Sequence, residues 1–100
     1  MKASVLGLGV LALSVFVGGT AVASEQICTA QRAAAADLVE ARDNATSVDE
    51  VIAEVRAAAS TDASAEVLSE SVHVLYNDPS MDAAAAAELI YDRCIGALGN

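Results

Sequence analysis

One hundred residues, with fourteen acids against five bases and 55% apolar side chains, divide into two stretches of different character. Residues 1–23 hold no acid and the only lysine, whereas the 77 residues from 24 to 100 carry every acid, four arginines and a formal charge of −10. Four arginines cannot cover a run of phosphates, which excludes nucleic acid as a partner; an anionic membrane surface repels such a chain, and 77 residues leave no room for a second domain.

Lys2 places a positive charge at the N-terminus, and residues 3–24 follow without another. Residues 5–17 form the most apolar stretch, Gly18-Gly19-Thr20 interrupts it, and Ala21-Val22-Ala23 is a small-x-small cleavage site. The pattern predicts a cleaved signal peptide over residues 1–23 and a single helical domain over 24–100. A retained anchor of about 20 apolar residues is the competing reading. The glycines at its far end, the acids from Glu25 onward and the lack of a basic cluster after it argue against an anchor. Ile27 before Cys28 disfavours lipoprotein processing, which wants a small residue there. The expected location is periplasmic or secreted, with no membrane attachment after cleavage.

Cys28 and Cys94 are the only cysteines and lie near the two ends of the exported part. In an oxidising compartment an even count reads as a disulfide, and two cysteines allow one intramolecular pairing. Closing a loop of this length stabilises a chain by roughly 4 kcal/mol in the chain-entropy view. A redox-active pair usually sits close together as Cys-x-x-Cys, so the expected role is a structural staple.

Abundant alanine, one proline and little β-branched alternation predict helices throughout. The first covers residues 25–43, with Ile27, Ala30, Ala34, Leu38 and Ala41 on one face and Asn44 as its left-handed cap. The second opens on a Ser47–Glu50 capping box and carries the stripe Val48, Val51, Ile52, Val55 and Ala59. The third starts at Thr61 or Asp62 and ends at Asn77-Asp78-Pro79, because a residue before proline is driven out of the helical region. Ser80 is expected to cap the fourth, residues 81–98. Short connections favour antiparallel neighbours, hence an all-α, small four-helix antiparallel bundle closed by one disulfide between the first and last helices. In that topology Cys28 and Cys94 fall at the same end of the bundle.

Chemistry-bearing residues are sparse. Glu66, Glu70 and His73 share a face of the third helix at i, i+4 and i+7, and Glu70 with His73 has the Glu-x-x-His spacing of di-iron carboxylate bundles. Such centres need two histidines, and His73 is the only one. These three residues remain the candidates for a metal or small ligand, with Glu88 or Asp92 as further donors; the plainer expectation is a solvated stripe and no bound metal or cofactor. The chain has no Gly-x-Ser-x-Gly elbow and no phosphate-cradling glycine loop, and no lysine beyond Lys2 for a serine–lysine pair. No catalytic residue is expected. The protein reads as a non-enzyme.

At Ala41-Arg42-Asp43-Asn44, Asn77-Asp78-Pro79 and Ile90-Tyr91-Asp92-Arg93-Cys94 the chain resembles small, uncharacterised secreted helical proteins of proteobacteria. They combine a signal peptide, an early Cys, an Arg-Asp-x-Gly helix end, an Asn-Pro turn and a closing Ile-Tyr-x-x-Cys. Asn44 stands where that pattern favours Gly. The resemblance implies a helical, disulfide-closed exported domain and carries over no activity or site residue. The expected function is that of an exported interaction or accessory factor with an unknown protein partner, with exposed apolar positions such as Val39, Val74 and Tyr76 marking its surface if they cluster.

Overall fold

The computed structural model describes residues 23–99. Apart from Ala23, the expected signal peptide lies outside them. Five helices fill this span: α1 (Ser24–Ala33), α2 (Ala35–Asp43), α3 (Val48–Ala58), α4 (Asp62–Tyr76) and α5 (Ala83–Leu98). Among the described residues there is no strand.

The helices α1 and α2 are two halves of the expected first helix, parted by one residue. The Ala34 N–H donates to the Gln31 carbonyl three residues back at 3.0 Å, and the normal ladder resumes with Leu38 N–H on the Ala34 carbonyl. Residues 33–36 are all alanine, so no bulky side chain opposes this tightening, and Ala34 and Ala35 both end up buried. Helix propensity is the same on either side of such a step, which is why the sequence reads as continuous there.

Side chains satisfy the orphaned N–H groups at three helix starts. Ser47 Oγ accepts from Glu50 N–H at 3.1 Å. Thr61 and Ser64 form a reciprocal capping box, each side chain accepting the other's backbone N–H at 3.0 and 3.3 Å. At α5 the cap is Asp82, whose Oδ1 accepts from Ala85 N–H at 2.9 Å. Ser80, the expected cap, instead donates its hydroxyl to Asp78 Oδ1 within the turn. A carboxylate answers the positive helix end better than a hydroxyl, and α5 accordingly starts later than expected.

A second correction concerns the end of α2. Asn44 keeps φ at −90°, and Ala45 takes the left-handed step at φ 63°. Thr46 N–H then donates to the Ala41 carbonyl and Ala45 N–H to the Arg42 carbonyl, the paired bonds of a Schellman motif. The geometry requires the second residue after the helix to turn, and in this chain that residue carries a Cβ.

The bundle is antiparallel. The combined α1–α2 rod lies along α5, α5 lies along α4, and α4 carries α3. Ser24 Oγ donates to the Leu98 carbonyl at 2.7 Å, so the start of α1 meets the end of α5. Tyr76 donates its hydroxyl to the Thr46 carbonyl at 2.8 Å, which brings the end of α4 beside the start of α3. The main core joins Ala34, Ala35 and Leu38 with Val51, Val55, Leu68, Val72, Leu75, Ala86 and Ile90. A smaller cluster of Ile27, Val67 and the two cysteines fills the disulfide end. The fourth side of the bundle is thin, since α3 meets α2 only briefly.

Left-handed backbone costs a non-glycine residue about 1–2 kcal/mol. Ala45→Gly is therefore expected to raise the unfolding free energy by about 1 kcal/mol in urea titrations. An unchanged or lowered midpoint would show that the turn holds no strain.

Candidate functional site

The two cysteines are bonded, with Cα atoms 5.4 Å apart and a sequence separation of 66. Neither has any solvent exposure. Cys28 sits one turn into α1 and Cys94 one turn from the end of α5, so the antiparallel pairing of these helices brings them together.

The row Glu66, Glu70 and His73 lies exposed on α4 as the spacing predicts, but its carboxylates face arginines. Arg56 on α3 approaches Glu66 at 3.3 Å, and Arg93 on α5 approaches Glu70 at 3.7 Å. Among the described residues no group of three His, Cys, Asp or Glu side chains is placed to hold a metal ion. Glu88 and Asp92 are also exposed, on α5. What the row does is link its neighbours: one carboxylate reaches α3, the other α5. Each bridge is solvent-exposed and worth about 0–1 kcal/mol.

The other two arginines have partners that spacing along the chain does not disclose. Arg32 on α1 stacks over the Tyr91 ring of α5 at 4.4 Å from its centroid. Arg42 is the structurally committed one, its side chain only 8% exposed. It pairs with Asp43 at 2.9 Å and donates to the carbonyls of Asp78 at 2.9 Å and Leu75 at 3.4 Å. Those carbonyls belong to the last turn of α4 and the segment after it, so Arg42 caps a helix it does not belong to. Thus all four arginines are engaged in contacts within the fold, and most of the fourteen acids face solvent without one.

Apolar positions follow a similar course. Val39 and Tyr76 are half-buried against the main core, and Val74 is half-buried on α4. They form no exposed cluster. Inside the bundle Gln31 is buried and donates Nε2 to the Ser64 carbonyl at 3.0 Å, while its Oε1 and the hydroxyl oxygens of Ser69 and Ser71 meet no partner. Burying such atoms unpaired costs stability.

Two titrating groups depart from their ordinary ranges. Partial burial raises the Glu54 carboxyl, and the nearby charge of Glu50 adds to this. Burial likewise raises Tyr76, with Arg42 opposing and Glu50 reinforcing. No protein family, curated protein or solved structure matches this chain.

A raised carboxyl binds its proton more tightly in the folded than in the unfolded state. Its contribution favours the fold at low pH and is lost as pH climbs through the folded value. Glu54→Gln, which removes the charge and keeps the shape, is expected to stabilise the protein at pH 7. The advantage should shrink as pH falls below the ordinary value of 4.5. Equal stability of the two proteins at pH 7 would contradict the assignment.

Proposed function

We propose that residues 24–100 form an exported, non-catalytic helical domain that acts by association with another protein, as a periplasmic or secreted accessory factor. The observation that carries this reading is the fully buried Cys28–Cys94 bond, a link that forms and persists in oxidising compartments. A second feature supports it. The helix α1 begins at Ser24, directly after the expected cleavage site, so removal of residues 1–23 takes from it only the Ala23 carbonyl, which accepts from Gln26 and Ile27 N–H. No helix among the described residues is long and apolar enough to cross a membrane. The resemblance inferred from residues 41–44, 77–79 and 90–94 implies the same kind of protein.

Association rather than chemistry is favoured by how the polar groups are used. The arginines are engaged within the fold, and the carboxylates that remain outside pairs are spread over α1 to α5 rather than converging. A surface of this charge favours a cationic partner and accelerates its encounter.

Intact-mass spectrometry of the protein recovered from periplasm and medium tests the proposal. The expected species starts at Ser24 and is two hydrogens lighter than the dithiol, and chemical crosslinking in the same fraction should capture a protein partner. A membrane-bound species that keeps Lys2, or free thiols at both cysteines, would overturn the exported reading. Failure to crosslink any partner would overturn the association.

A further inference from the structure

We infer that α3 is a detachable element: it opens from α4 as a unit while the α1–α2–α4–α5 body stays folded. The supports of the helices are unequal. A covalent bond and the Ser24–Leu98 hydrogen bond hold α1 to α5, and Arg42 ties α2 to the end of α4. Apart from a brief contact with α2, the helix α3 rests on α4. Among its side chains only Val51 and Val55 are buried, with Val48, Ile52 and Ala58 half-buried against the core, and its polar ties are the exposed Arg56–Glu66 bridge and the Tyr76–Thr46 bond at its start.

Several local costs of the closed form fall on this same contact. The turn leading into α3 contains the left-handed Ala45. Ala65, Ser69, Val72 and Tyr76 recur at i, i+4, i+7 and i+11 on α4, and Tyr76 marks that row as the side toward α3. In the row the Ser69 hydroxyl is buried without a partner. On α3 itself the Glu54 carboxylate is partly withdrawn from water beside Glu50. Opening α3 relaxes the turn, rehydrates Ser69 and frees Glu54. Gln31 and Ser71 are also incompletely paired, but they sit in the body that the disulfide and Arg42 hold closed. Elements with few buried apolar contacts open first, below the free energy of global unfolding.

Hydrogen exchange of the disulfide-intact protein, followed by mass spectrometry, reads this directly. Amides of α3 are expected to exchange about a hundredfold faster than the slowest of α5, or more. One variant separates local from global opening, and a second checks that both openings break the contact at the start of α3. Ile90→Val weakens the body by removing one methylene, and should speed α5 exchange roughly two- to tenfold while leaving α3 unchanged. Tyr76→Phe removes a bond broken in both events, and should speed α3 and α5 alike, about fivefold. The inference is overturned if the slowest α3 amides match those of α5, or if Ile90→Val speeds both helices by the same factor.

Discussion

A bond between sulfur atoms 66 residues apart encloses nearly the whole folded chain, and the rest of the architecture is arranged around it. Before it forms, the pairing of α1 with α5 is the contact of highest sequence separation in the bundle and so the most costly in loop-closure entropy. The core that must offset this cost is modest. Its large, fully buried side chains are Leu68, Leu75, Ile90, Gln31, Val55 and Val72, with no aromatic ring among them. A core of that kind in a domain this small supplies only about 3–5 kcal/mol net, similar to the roughly 4 kcal/mol that the chain-entropy view assigns to the cross-link.

The alanine runs make sense in that setting. Residues 33–36 span the step from α1 to α2 and residues 83–87 open α5, against which both halves of that rod lie, and Ala34, Ala35 and Ala86 are buried. Small side chains let two helices approach closely, and good helix formers lower the entropy lost in building each. Larger residues there would force the rods apart. Polar groups reinforce the same pairing from outside, through Arg32 over Tyr91 and Ser24 on the Leu98 carbonyl. The second helix of the expected four has no covalent tie and only the exposed Arg56–Glu66 bridge and the Tyr76–Thr46 bond, which is why stability should be unevenly distributed.

The sequence carried the helices and their order well, because the signals are local. Ser47 and Thr61 cap as their residue types suggest, the stripe Val48, Val51, Ile52 and Val55 turns inward, and Asp78-Pro79 ends α4. What it concealed depends on tertiary contact or on choices between similar neighbours. Asn44 and Ala45 compete for one left-handed position, and Ser80 and Asp82 for one cap; chemistry ranks each pair, but the register of the turn decides. The step at Ala34 leaves no trace in a run of identical residues. The candidate row of Glu66, Glu70 and His73 is legible as a row, yet the arginines facing it come from α3 and α5 and cannot be assigned by spacing along α4. Arg42 is the clearest such case, for its acceptors are backbone carbonyls more than thirty residues away.

Equilibrium urea unfolding of the Cys28→Ala, Cys94→Ala double variant tests the central claim most directly, since alanine removes the cross-link without burying a new polar group. The account predicts a loss of about 4 kcal/mol, enough to leave the variant partly or wholly unfolded in the absence of denaturant. A double variant that unfolds cooperatively within about 1 kcal/mol of the parent would contradict it, because the helices would then hold together without the bond.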